Sequence, residues 1–164
     1  MLYRKADISD LSAVSELIAS AVEEMERNDI HQWDSIYPDD TDLRADIESG
    51  TMTVGIKDDD IAVIYVINKI FDEQYRNGNW QYPDSDFRVI HRLCVAPKYQ
   101  HKGIASQTLT HIEDELRKNS IDTVRLDVFT KNPFALSLYR SNGYTEVGTA
   151  HWRKGSFLLM EKHL

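Results

Sequence analysis

The stretch Val89–Ala105, VIHRLCVAPKYQHKGIA, constrains this chain more than any other. Alternation through Val89–Val95 predicts a strand, with Val89, His91, Leu93 and Val95 on one face and Ile90, Arg92 and Cys94 on the other. Pro97 has no N–H to give and ends the ladder. A basic, turn-like run, Lys98–Lys102, follows, and Gly103 permits close backbone approach. Ala105, Leu109, Ile112 and Leu116 then recur at helical spacing. The order strand, tight loop, small residues, helix leaves free backbone N–H groups at a helix N-terminus outside the strand's end. An anion fits there, because those donors lack partners and the dipole is positive. Neither G-x-x-x-x-G-K-[ST] nor G-x-G-x-x-G occurs, which excludes the usual nucleoside-triphosphate and dinucleotide loops.

The flanking sequence supplies a full complement of elements. Leu2–Arg4 reads as a first strand, and Asp7 as the cap of a helix carrying the stripe Leu11, Val14, Leu17, Ile18, Ala21, Val22 and Met25, ending near Asn28. A loop with Trp33 and Tyr37 among acids leads to a short helix around Leu43 and Ile47, stopped by Gly50. Met52–Lys57 and Ile61–Ile70 read as antiparallel strands joined by Asp58, Asp59 and Asp60. Those acids lack the alternating spacing, the Gly and the distal Glu of a calcium loop, so they read as a solvated turn and no metal is expected. Phe71–Phe87 is a long loop carrying Tyr75, Trp80 and Tyr82, and either lines a site or forms a homodimer contact. Beyond the central helix, Thr123–Val128 predicts a strand reached by a right-handed parallel crossover. Asn132 then caps a helix with Pro133 at its first position and Gly143 as its stop. Tyr144–Val147 and Phe157–Lys162 finish the sheet, with a turn at Lys154–Gly155.

Two of these runs resemble one family. Gln100-His101-Lys102-Gly103-Ile104-Ala105 resembles the Q/R-x-x-G-x-G/A signature of the GNAT N-acetyltransferase superfamily, and Asn132–Tyr144 resembles its N-x-x-A-x-x-L-Y-x-x-x-G-F/Y motif. They stand in the family's order of loop, helix, strand and second helix, and the motif-specific match covers residues 89–105 and 128–144. The resemblance implies an α/β fold: one acetyltransferase domain over 1–164, with a mixed, mostly antiparallel sheet of six to seven strands and helices on both faces. It implies acetyl-CoA as cosubstrate, lying between the strands that end near Val95 and Val128. Its pyrophosphate would meet the backbone of the loop and helix start, with Gln100, His101, Lys102, Gly103, Ile104, Ala105 and Ser106 as the binding set. Its pantetheine arm would meet Leu93, Cys94 and Val95, together with Asn132 and Phe134. Asn132 and Tyr139 are seven positions apart and share a helix face, and Tyr139 is the family's usual proton donor to the leaving thiolate.

Other roles stay open. His91 is the candidate base, directly or through water, or else a structural histidine of the sheet. Many family members use a Glu in this region, and none stands between Val89 and Ala105. Trp33, Tyr37, Trp80 and Tyr82 are candidate walls for the acceptor, the first two alternatively covering the edge of the core. Cys94, the single cysteine, can form no internal disulfide and reads as a small buried hydrophobe.

Charge narrows the partners. A net −8 argues against nucleic acid. It divides into −11 over residues 1–60 and +3 over the remainder, so the acidic part suits a cationic acceptor or serves solubility. No run approaches the ~18 apolar residues of a membrane span, and MLYRKADISD lacks a secretory apolar region, so a cytoplasmic protein is expected. The expected function is acetyl-CoA-dependent N-acetyl transfer to a primary amine of a small molecule or peptide by direct attack. The alternatives are a non-catalytic acyl-CoA-binding regulatory module and a protein N-terminal or lysine acetyltransferase.

Overall fold

The computed structural model describes residues 1–164. In chain order the elements are β1 (Leu2–Lys5), α1 (Leu11–Arg27), α2 (Asp40–Glu48), β2 (Met52–Lys57), β3 (Asp60–Asn68), β4 (Phe87–Val95), α3 (Ile104–Lys118), β5 (Thr123–Phe129), α4 (Pro133–Ser141), β6 (Thr145–Trp152) and β7 (Gly155–His163). The strands form a seven-stranded sheet in the order β1-β2-β3-β4-β5-β7-β6. The β1–β2, β2–β3, β5–β7 and β6–β7 pairs are antiparallel and β4–β5 is parallel, so the mixed, mostly antiparallel α/β sheet expected from the sequence is the one formed. No helix is long and apolar enough to cross a membrane.

Contacts divide the chain into two compact units, Met1–Ile67 with Arg92–Thr108, and Asn68–His91 with Leu109–Leu164. In the first, Asp7 accepts from the Ser9 N–H and closes a capping box with Asp10 around one 3₁₀ turn, from which α1 continues. The stripe read from sequence is the buried one: Val14, Leu17, Ile18 and Ala21 pack with Leu43, Ile47, Met52, Val54, Ile64 and Cys94. The β2–β3 hairpin turns on Asp58 and Asp59, at φ 52° and 63°. Positive φ at both central residues is the primed turn whose twist suits adjacent strands, and this is the local reason for the acidic triplet. Asp60 belongs to β3 and pairs with Lys98.

The cap of α2 is as explicit as that of α1. Asp39 accepts from the N–H groups of Thr41 and Asp42, and Asp42 accepts from the Asp39 N–H in return. Asp39→Ala is expected to cost about 1 kcal/mol of unfolding free energy, the usual worth of an N-cap. Chemical denaturation measures it, and an unchanged midpoint would mean that the box does not hold the helix.

The second unit gathers Tyr75, Val89, Val147, Ala150 and Leu159 with the rings of Trp80, Phe87 and Trp152. The buried Arg125–Glu161 pair ties the long loop down: the Arg125 guanidinium donates to the Tyr82 carbonyl, and Glu161 accepts from the Gln81 N–H at 2.7 Å.

Several boundaries and one pleat differ from the sequence reading. β3 ends at Asn68, not Ile70, because the Asn68 side chain accepts from the Ile70 N–H at 2.8 Å and turns the chain out of the ladder. β4 begins at Phe87, where pairing with Thr123 starts. β6 runs on to Trp152, since its hairpin with β7 closes only at the Trp152–Gly155 pair. In β4 the strict alternation fails at Arg92, whose φ is +51°. That residue resets the pleat, and it is also where β4 passes from the second unit to the first.

Candidate active site

The residues expected to carry chemistry fall into two groups. One, in the first unit, is the end of β4 and the head of α3. Pro97–Tyr99 form a 3₁₀ turn, and His101 and Gly103 follow at φ +57° and +76°. The Gln107 N–H bonds to the Gly103 carbonyl at 3.0 Å, which starts the helix there. Helix geometry therefore leaves the N–H groups of Gly103, Ile104 and Ala105 without intrahelical partners. A Cβ built on Gly103 meets no atom within 4 Å, so the space beside these donors is open. A loop of this form receives an anion on backbone donors.

Two of the side chains expected at that anion are turned onto the loop itself. Gln100 Nε2 donates to the Val95 carbonyl at 3.0 Å, bracing the loop against the end of β4. Lys102 Nζ donates to the Lys98 carbonyl at 2.7 Å and lies 5.8 Å from the Tyr99 ring centroid. Ile104 is buried in the first unit's core, Ala105 and Ser106 are half-buried, and His101 is exposed. Leu93 and Val95 pack partly against the same core, and Cys94 lies within it. Burial pushes the Cys94 thiol up to about 12, so it stays protonated and unreactive. The parallel ladder between β4 and β5 covers Phe87–Val89 against Thr123–Arg125 and goes no further.

The other group belongs to the second unit. Asn132 caps α4 by accepting from the Ala135 N–H at 3.0 Å, and Pro133 occupies the first helical position. Phe134, one residue on, is 52% exposed. Gly143, at φ +85°, closes the helix as its N–H bonds to the Arg140 carbonyl. Tyr139 is buried and meets Tyr144 edge-on, with ring centroids 5.6 Å apart. Burial pushes its phenol well above the ordinary value of 10, and the negative charge of Asp127 adds to the effect. The hydrogen bonds around it join other groups: Tyr75 donates to Asp127 at 2.7 Å, Tyr144 to Glu113 at 3.2 Å, and Lys162 to the same Glu113 at 2.6 Å. This arrangement offers a phenol that is fully protonated throughout the neutral range.

His91, also in the second unit, has Nε2 within 3.1 Å of Asn68 Oδ1 and 3.0 Å of the Ile70 carbonyl. Two acceptors at one nitrogen place the proton of the neutral ring on Nε2. The aromatic candidates differ in their surroundings. Trp33 packs partly against the first unit's core. Tyr37 is 41% exposed, and its hydroxyl accepts from Arg92 Nη1 at 2.6 Å. Trp80 stacks on Tyr75, donates Nε1–H to the Tyr75 carbonyl and has the Arg125 guanidinium 4.4 Å from its ring, so its contacts are with its own unit's interior. Tyr82 stacks on His163 at 4.3 Å.

Sequence reasoning passes over Arg92 and Asp46, which form an ion pair at 2.6 Å with side chains only 14% and 11% exposed. The signals are present: an Arg within an apolar strand, and an Asp beside the buried Ile47 of α2. Their pairing spans 46 positions and has no local signature.

A mixed seven-stranded sheet in which β4 runs into a short anion-ready loop and helix is an arrangement shared with solved acetyltransferases. An acetyltransferase of the GNAT family from Streptococcus agalactiae 2603 superposes with a TM-score of 0.87 at 23% identity, over 99% of this chain and 95% of that one. The PaiA N-acetyltransferase of Thermoplasma acidophilum, solved in complex with coenzyme A, superposes at 0.74 and 21% identity, over 99% and 98%. Residues 18–144 match the model of the acetyltransferase (GNAT) family, and the chain belongs to that family. Among curated relatives, the ribosomal protein bS18 alanine N-acetyltransferase of Escherichia coli (strain K12) is 36% identical over 61 residues, 37% of this chain, and the match spans 41% of that protein's length. The S-alkylcysteine N-acetyltransferase of Bacillus subtilis (strain 168) is 23% identical over 87% of this chain and 78% of its own.

Proposed function

We propose that this chain is an acetyl-CoA-dependent N-acetyltransferase whose acceptor is a primary amine that attacks the thioester directly. The observation that carries the reading is the head of α3: the N–H groups of Gly103, Ile104 and Ala105 beside a glycine at φ +76° with open space where a side chain would stand. That cradle fits a pyrophosphate through backbone alone, which agrees with Gln100 and Lys102 being turned back onto the loop. In the first unit the backbone groups of Leu93 and Val95 are the candidates for holding the pantetheine arm, and in the second unit the candidates are Asn132 and Phe134. An N–H near Val95 faces the oxyanion that develops as the amine attacks. Tyr139 gives its proton to the departing sulfur.

His91, held at Nε2 by Asn68 and Ile70, takes the proton from the amine, directly or through one water. His91→Gln keeps a donor for those two acceptors and removes the base. The acid limb of the kcat/KM profile is expected in the native enzyme and absent from the Gln variant. A limb that persists would give the role to water or to another group.

The acceptor is cationic and partly apolar, on the strength of the −11 balance of residues 1–60 and the exposed rings of Tyr37 and Tyr82. A thiol-release screen with acetyl-CoA tests the whole reading. Its arms are simple amines and polyamines, S-alkylated and other amino acids, peptides with an N-terminal alanine, and lysine peptides. Release with any amine supports enzymatic transfer, and the preferred arm separates small-molecule from protein substrates. Tight coenzyme A binding with no release in any arm would instead favour a regulatory acyl-CoA-binding module, and turnover confined to anionic acceptors would overturn the cationic assignment.

A further inference from the structure

Arg92 holds a backbone conformation that its own chemistry opposes. Its φ of +51° lies in the left-handed region, in the middle of β4. A Cβ disfavours that region by roughly tenfold or more in population, and such residues persist where their surroundings over-determine them. The surroundings here are specific. Arg92 Nε donates to Asp46 Oδ2 at 2.7 Å, and Nη2 lies 2.6 Å from the same oxygen. Nη1 donates to the Tyr37 hydroxyl at 2.6 Å, and the guanidinium carbon lies 5.5 Å from the Tyr37 ring centroid. Asp46 is itself fastened, because its carbonyl accepts from the Thr51 N–H and from the hydroxyls of Ser49 and Thr51, tying the end of α2 to the approach of β2. All of these residues belong to the first unit.

We propose that Asp46 is a positioning residue: through Arg92 it holds the left-handed turn of β4 and so aims the backbone groups of Leu93–Val95 that receive the acyl-CoA. The pair does not touch the reacting atoms. The Asp46 oxygen that Arg92 approaches is committed to the guanidinium, and the guanidinium is committed to Asp46 and Tyr37, which makes the unit an anchor instead of a base or a substrate clamp. The use assigned to the aimed groups rests on the acetyltransferase reading above. The anchoring itself does not.

Two double variants isolate the effect. Arg92→Ala with Asp46→Ala, and Arg92→Gly with Asp46→Ala, both delete the ion pair and both leave no unpaired charge. They differ by one Cβ, at a φ that glycine accepts freely. In the alanine pair, amide hydrogen exchange at Leu93–Val95 is expected to shift roughly tenfold, and coenzyme A affinity by calorimetry to fall by a similar factor. The glycine pair is expected to stay within about threefold of the native protein in both. Equal behaviour of the two would overturn the proposal and leave the ion pair a packing element. If the alanine pair fails to fold while the glycine pair folds, the proposal stands. If neither folds, the single change Asp46→Asn decides by the same exchange measurement, and unchanged exchange overturns it. Should the native protein bind no coenzyme A, the acetyltransferase reading fails, while hydrogen exchange still decides the anchoring.

Discussion

Tyr139→Phe is expected to lower kcat by roughly 10²–10⁴-fold while leaving acetyl-CoA affinity close to that of the native protein, the signature of a lost general acid. The substitution removes one oxygen and keeps the ring, so the edge-on contact with Tyr144 at 5.6 Å persists. The size of the effect follows from the site. A thiol of ordinary acidity titrates near ~8.5, and its thiolate is a far better leaving group when a proton arrives as the bond breaks. Burial and the charge of Asp127 hold the Tyr139 phenol above its ordinary 10, so at neutral pH the proton is always present. Any loss of activity below pH ~10 therefore belongs to another group. The defect should shrink with acyl donors whose thiols are more acidic, since those leave unaided. A Phe variant with native kcat, measured where chemistry limits the rate, would return Tyr139 to packing alone.

Gly103→Glu is expected to abolish acetyl-CoA binding in a protein that still folds. The fold is expected to survive because a Cβ at this position meets no atom within 4 Å beyond its chain neighbours, and a carboxylate at a helix N-terminus is favourable to the helix. The remaining cost is the left-handed φ of +76°, about 1–2 kcal/mol for any residue with a Cβ. Binding fails because the carboxylate stands where a pyrophosphate would meet the N–H groups of residues 103–105, and because like charges repel across a dry contact. Gly103→Ala carries the backbone cost without the charge and should lose far less. Calorimetry with coenzyme A reads both variants, and native affinity in a folded Glu variant would sink the phosphate-cradle reading.

Both substitutions fall in runs that local sequence makes legible. Gln100–Ala105 and Asn132–Tyr144 announce themselves through local chemistry: a glycine where φ is positive, an Asn that caps, a Pro at the first helical position. Hydrophobic spacing locates the buried stripe of α1, and β2 runs over Met52–Lys57 as read from the sequence. Each of those signals acts over a few residues, within the reach of one turn or one pleat. Sequence and structure part where a local pattern is overruled from nearby or from far away. The apolar run alone carries β3 past Asn68 to Ile70, yet a hydrogen bond from the Ile70 N–H to the Asn68 side chain ends it. Alternation also assigns Arg92 to a regular pleat, yet an acid 46 positions earlier and a phenol 55 positions earlier hold it in the left-handed region. His91 shows the same limit, since its candidacy as a base is visible in the sequence while the acceptors that hold its Nε2, on Asn68 and Ile70, lie 23 and 21 positions earlier.

What the sequence determined by itself is the order of the elements, the anion-ready start of α3 and the capped helix that carries Tyr139, because periodicity, caps and turn residues are properties of neighbouring positions. What only the tertiary structure decided is how those groups are tuned. The phenol's raised pKa comes from burial and from Asp127, the direction of β4 beyond His91 comes from the Arg92–Asp46 pair, and the commitment of Gln100 and Lys102 to the loop comes from carbonyls they reach only once it has closed. Desolvation and long-range hydrogen bonding depend on which distant residues fold against each other, and a linear pattern carries no term for that.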